Sequence, residues 1–185
     1  MLCPARWALL LCPLVSACGI DPLTDVDLGE SPACAGVAKW PTASADAELD
    51  LVDEIAELRL TGAECDGEMV DGVGPVELVP ELHCAARLHA GDLIRHPELA
   101  VDHEGSDGSS ALARANRAGY DGIARQEFLA GDFARASALA LAWIESGTHC
   151  QQLLDEDIEH VGVGQAQTRE GDRIVWVVVT GQERR

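Results

Sequence analysis

The residues best suited to chemistry in this chain are its 6 histidines and 7 cysteines. An imidazole can move a proton near neutral pH or bind a metal, and a partner on one ring nitrogen decides what the other can do. His103 stands in VDHEGSDGSS, between acidic residues and a run of Gly, Ser and Asp that reads as a turn. His149 stands in ESGTHC. Each follows a predicted helix and lies in a connection where side chains can converge on a cleft. His83 and His89 are six residues apart, about 240° around a helix, so they do not share one face. His89 falls on an apolar stripe and reads as a hydrogen-bonded core residue, whereas His96 and His160 read as solvated surface. The serines near His103 would serve a nucleophile–base arrangement only if the fold brought them to the ring. There is no phosphate-binding glycine loop, no G-x-S-x-G elbow and no H-E-x-x-H. DGEMVDGVGPVE fails as a calcium loop, because Val70 and Asp71 stand where an oxygen ligand and the turn glycine are needed.

Four helices and a late hairpin would have to position these groups. Ser44 offers a cap for a first helix striped by Leu51, Ile55 and Leu58. A glycine-rich surface loop covers 61–79. A second helix begins at Pro80 and carries Leu82, Ala85, Ala86, His89 and Leu93 on one face. Ser109 can cap a third, with Leu112 and Ala115 inward and Gly119 at its end; Asp132 can cap a fourth, with Ala136, Leu139, Ala140 and Trp143 inward and Gly147 at its end. The last stretch is two β-branched runs around Arg169 to Asp172, a β-hairpin. The sum is an α+β domain.

At 185 residues the chain holds one domain and an N-terminal extension. With 32 acidic against 13 basic residues and a formal charge of -19, it is unsuited to a long contact with nucleic acid or an anionic membrane surface. MLCPARWALLLCPLVSAC has one Arg6, a short apolar run and a small-residue ending, as export signals do. Its end at Cys18 resembles the bacterial lipoprotein signal. The expected division is therefore a signal peptide over 1–17, an acylated Cys18 opening a tether over 18–43, and the folded domain over 44–185. Acyl chains on Cys18 would contribute about 0.8 kcal/mol per buried methylene to membrane anchoring. With Cys3, Cys12 and Cys18 so assigned, Cys34, Cys65, Cys84 and Cys150 remain. In an oxidising compartment four cysteines form two disulfides, with three pairings open. The long gaps and the lack of C-x-x-C disfavour zinc through these sulfurs.

The segments HEGSDGSSALARANRAGY, RQEFLAG, AWIESGTHCQQLL, EHVGVGQA and VWVVVTG, in that order, resemble the CAP superfamily, also called the SCP domain, in its bacterial extracellular branch. The likeness spans about residues 46–182. It implies an α-β-α sandwich with a central cleft lined by His103, Glu127 and His149, and it puts an acidic position of eukaryotic relatives on Ser146. Glu145 is one residue off, about 100° around the helix. Two departures stand out: Gln126-Glu127-Phe128 replaces Gly-Glu-Asn, and Cys150 replaces an arginine. His103 and His149 with Glu127 would be an adequate ligand set for zinc or another divalent metal. The same trio could equally be satisfied by hydrogen bonds, with Glu127 orienting one ring. The resemblance also implies a Cys65–Cys150 bridge, which leaves Cys34 with Cys84. The expected protein is lipid-anchored in the cell envelope, at the outer membrane of a bacterium, or extracellular. It meets the membrane through its lipid, and its cleft receives a small molecule, lipid, peptide or glycan. The alternatives are a metal-dependent hydrolase using His103, His149 and Glu127, and a structural module with an inert cleft.

Overall fold

A computed structural model describes residues 22–185. The signal segment and Cys18 lie outside the described residues. From Pro22 the elements run β1 (Leu23–Asp25), β2 (Lys39–Pro41), α1 (Thr42–Thr61), β3 (Ala63–Cys65), β4 (Glu68–Val70), β5 (Glu77–Leu78), α2 (Pro80–Arg95), α3 (Ala111–Ala118), β6 (Ile123–Gly131), α4 (Ala136–Glu145), α5 (Gly147–Leu153), β7 (His160–Gln167) and β8 (Ile174–Gln182). The central sheet has the order β5-β7-β8-β6, antiparallel except for the two-residue β5–β7 pairing.

Side-chain alternation on the strands divides the core into two layers. Val161, Val163, Trp176, Val178 and Phe128 pack under α1, α4 and α5. Val175, Val177 and Val179 pack under α2 and α3. The VGVG of β7 shows how closely α2 sits on that second face. A Cβ on Gly162 or Gly164 would come within 2.0 or 2.4 Å of α2 backbone atoms, so only glycine permits the contact. This is the α-β-α arrangement expected of the chain.

The edge of β7 is closed by side chains, because β5 covers only its first two residues. Glu48 of α1 accepts a hydrogen bond from the Gln165 amide (2.8 Å), and the Trp40 indole donates to the Gln165 carbonyl (2.9 Å). The same carboxylate receives Arg87 and the His83 Nε2 (3.1 Å), all three side chains being sealed from solvent. Arg87 also lies over the Trp40 ring. The segment expected to be a tether is packed here too: Leu28, Cys34 and Val37 are buried in the α2–α3 layer. Both disulfides have the expected pairing, Cys34–Cys84 and Cys65–Cys150. Closing loops of 50 and 85 residues, they contribute about 4 to 5 kcal/mol each on a chain-entropy argument.

Several local expectations are corrected. Helix α1 starts at Thr42, directly after Pro41, so Ser44 is inside it and buried. Ser110, not Ser109, caps α3, accepting from the Ala113 amide, while Gly119 closes it at φ 94° as expected. Leu112 is 54% exposed and Arg114 is buried instead. Asp132 is a left-handed residue (φ 65°) ending β6, and α4 begins at Ala136. Gly147 opens the short α5 rather than closing α4. The 61–79 loop contains the β3–β4 hairpin, and β6 is a strand that the sequence pattern does not predict. Arg59 holds this end together through the carbonyls of Gly74, Leu153, Asp155 and Ile158, and burial lowers its pKa.

Candidate functional site

The site is assembled on the α2–α3 face of β6. Glu127 follows an irregularity in the β6–β8 register and pairs with Val179, which faces α2 and α3. Its carboxylate, 3% exposed, is held between two donors. Arg114 of α3 reaches Oε1 at 2.7 Å, and His103 Nδ1 reaches Oε2 at 2.9 Å. The ion pair with Arg114 makes Glu127 the acceptor, so His103 donates through Nδ1 and its Nε2 is not engaged by Glu127. The His103 side chain is 68% exposed. The result is one surface imidazole fixed in tautomer and orientation by a buried carboxylate.

The connection bearing His103 is tied down from below. His89 of α2, fully buried, hydrogen-bonds the Asp102 carbonyl at 2.8 Å and lies 4.0 Å from Glu127. A carbonyl only accepts, so this Nε2 is the protonated nitrogen of a neutral ring. Burial, then the nearby Arg114 charge, lowers the His89 pKa. Arg114 donates to the carbonyls of His103 (3.1 Å) and Ser109. Ser106 donates its amide and hydroxyl to Asp92, both at 2.7 Å, and Arg173 donates to the Ala100 carbonyl at 2.7 Å. The serines are thus engaged elsewhere: Ser106 with Asp92, Ser109 with Arg114.

His149 does not join His103 and Glu127. Its ring packs against Phe128 (6.0 Å) and Trp143 (6.5 Å) in the α4–α5 layer, and its Nδ1 has no protein partner. Phe128 and Glu127 are consecutive strand residues, so their side chains leave on opposite faces. Among the described residues no group of three or more His, Cys, Asp and Glu is placed to hold a metal. Both Glu127 oxygens are already taken, which makes the three-residue ligand set a poor fit. Ser146 is the link between α4 and α5, and Glu145 is exposed. His160, expected on the surface, hydrogen-bonds the Tyr120 hydroxyl at 2.7 Å; burial and the Glu159 charge push Tyr120 up to about 12.

A family model described as the cysteine-rich secretory protein family, CAP, matches residues 52–180. The chain belongs to this family. The CAP domain also resembles solved structures. An outer surface protein from Borrelia burgdorferi matches with TM-score 0.58 and 21% identity over 76% of this chain and 96% of its own. An extracellular protein containing an SCP domain from Bacillus anthracis str. Ames matches with TM-score 0.57 and 16% identity, over 78% of this chain and 44% of its own. At these identities the likeness concerns the fold. No curated protein matches the sequence. Within the CAP domain, the sequence motifs locate His103 and Glu127 but assign no role to Arg114, whereas His89 is the hydrogen-bonded core residue that its place on the apolar stripe predicts. Arg114 lies within ALARANRA, whose apolar spacing gives no sign that a guanidinium faces inward.

Proposed function

We propose that this CAP domain is an exported recognition module, anchored by lipid at Cys18, whose His103–Glu127 site receives a small molecule, lipid, peptide or glycan of the cell envelope. The observation carrying it is the 2.9 Å hydrogen bond between the exposed His103 ring and a Glu127 buried on Arg114. A buried carboxylate that fixes a solvent-facing ring preorganises that ring for contact with something outside the protein. The names of the two solved relatives, an outer surface protein and an extracellular protein, support export. Among the described residues no helix is long and apolar enough to cross a membrane; the proposed anchor rests on the lipoprotein-like ending of the N-terminal segment at Cys18. Binding is favoured over hydrolysis because His149 lies on the other face of the sheet and the serines are engaged elsewhere.

Two measurements test this reading. Wild-type protein and His103→Ala are incubated with envelope lipid, glycan and peptide fractions and examined by native mass spectrometry. An adduct kept by wild type and lost by the variant supports the site; adducts equal in both would sink it. Detergent-phase partitioning of the exported protein, lost in Cys18→Ser, tests the anchor. A variant that still partitions removes the lipid from the proposal.

A further inference from the structure

A cavity beside, but separate from, the His103 ring gathers several of the few basic residues of this acidic chain. Of 13 basic residues in a protein of charge -19, three line one cavity of about 160 Å³: Arg95, Arg114 and Arg117. It lies between the end of α2, the 105–109 turn and α3. Arg114 is 3% exposed; its terminal nitrogens are bound as described, and its Nε has no protein partner. Arg95 and Arg117 are 65% and 50% exposed, paired with Asp92 at 3.8 Å and Asp107 at 3.0 Å.

Two carboxylates face the same cavity, and both have other work. Asp92 accepts from the Ser106 amide and hydroxyl. Asp107 accepts from the Ser109 amide at 3.0 Å as well as from Arg117; bonding to Ser109 first, then to Arg117, holds it down at about 2. These aspartates shape the turn and restrain two flexible arginines; the third, Arg114, is paired with Glu127, and it is its Nε that has no protein partner.

We propose that this cavity is a subsite for a tetrahedral oxyanion, a phosphate or sulfate group, gripped by Arg95 and Arg117 above the buried Arg114. Guanidinium groups approaching from α2 and from two positions on α3 surround a tetrahedral group better than a planar one, for which a single fork suffices. The inference does not depend on what His103 contacts. A ligand carrying phosphate could nevertheless reach both places, because Arg114 touches Glu127 on one side and the cavity on the other.

The test is a titration of the exported protein with inorganic phosphate, at ionic strength held constant with sodium chloride, following the amide resonances of Ser106 and Ser109. Saturating shifts are expected, weakened about tenfold in Arg95→Ala/Arg117→Ala, the size of two partly exposed charge-assisted contacts. Asp107→Asn should tighten binding, since it frees Arg117 while its amide oxygen can still accept from Ser109. In a parallel arm, phosphatidylcholine vesicles containing phosphatidic acid distinguish the sources. Sedimentation lost in the double variant assigns the phosphate to a lipid headgroup, and saturation by phosphate without sedimentation assigns it to a soluble ligand. Shifts that follow chloride equally, a double variant that binds phosphate like wild type, or an Asp107→Asn that weakens binding would each overturn the proposal.

Discussion

Among the described residues, glutamate, histidine and arginine come together at Glu48 and again at Glu127, with opposite treatments of the histidine. At Glu48, the carboxylate, His83 and Arg87 are all sealed, and the cluster also takes up a free amide on the edge of β7. At Glu127, carboxylate and arginine are buried but His103 stands 68% exposed. Identical side-chain chemistry therefore serves closure in one place and presentation in the other. A charged cluster whose members are all buried offers almost no surface for recognition. The one with its ring outside has used its buried charges to hold that ring still.

This contrast predicts unequal costs. Glu48→Gln leaves Arg87 charged, fully buried and without its counterion, so denaturant unfolding should lose about 3 to 5 kcal/mol. Glu127→Gln should cost less, about 2 kcal/mol, because Arg114 keeps the carbonyls of His103 and Ser109. The second variant should also release the His103 tautomer, visible as a changed ring-nitrogen shift pattern at neutral pH. Equal losses from the two substitutions would erase the distinction and make Glu127 another structural carboxylate.

How much of this contrast is legible in the sequence differs between its halves. Helix α2 and the β7–β8 hairpin are legible because one apolar period dominates each, 3.6 in the first and a β-branched run in the second. Strand β6 is not, because Gln126 and Glu127 interrupt its apolar alternation, and the glutamate is there for the site rather than the core. The pairing of His103 with Glu127 comes from ordered motifs resembling a family; no local spacing joins residues 24 apart. The same motifs suggest His149 as a third partner, and strand alternation at Glu127–Phe128 separates it. Helix α3 misleads differently: Ala115 is inward as expected, but the buried face continues through Arg114 and Ala118, not through Leu112. A guanidinium that neutralises a buried carboxylate looks, in sequence, like any surface arginine.

A third histidine lies between the two clusters in character and responds to acid. His89 is buried and neutral, with its pKa lowered below the ordinary 6.5 by burial and then by Arg114. The unfolded chain therefore binds a proton before the folded one does. Stability from this group is complete above 6.5 and falls as the pH drops through that value toward the folded pKa. Melting temperature followed downward from neutral pH should decline, and His89→Gln should flatten that decline. An unchanged slope would mean that other groups, not the floor beneath His103, set the acid response.

The smallest expected change is the most telling. His103→Ala removes an exposed ring from a buried carboxylate that still has Arg114 at 2.7 Å, so its stability cost should stay at about 0.5 to 1 kcal/mol. The equivalent change at His83 strips a partner from a sealed Glu48, and its cost should be roughly twofold greater or more. For either ring, a side chain kept for folding is missed by the fold, whereas one kept for an outside partner is missed mainly by that partner. If His103→Ala unfolds as easily as His83→Ala, the open ring is part of the scaffold. If it unfolds like wild type yet loses its envelope adduct, the 2.9 Å hydrogen bond to Glu127 exists to aim it.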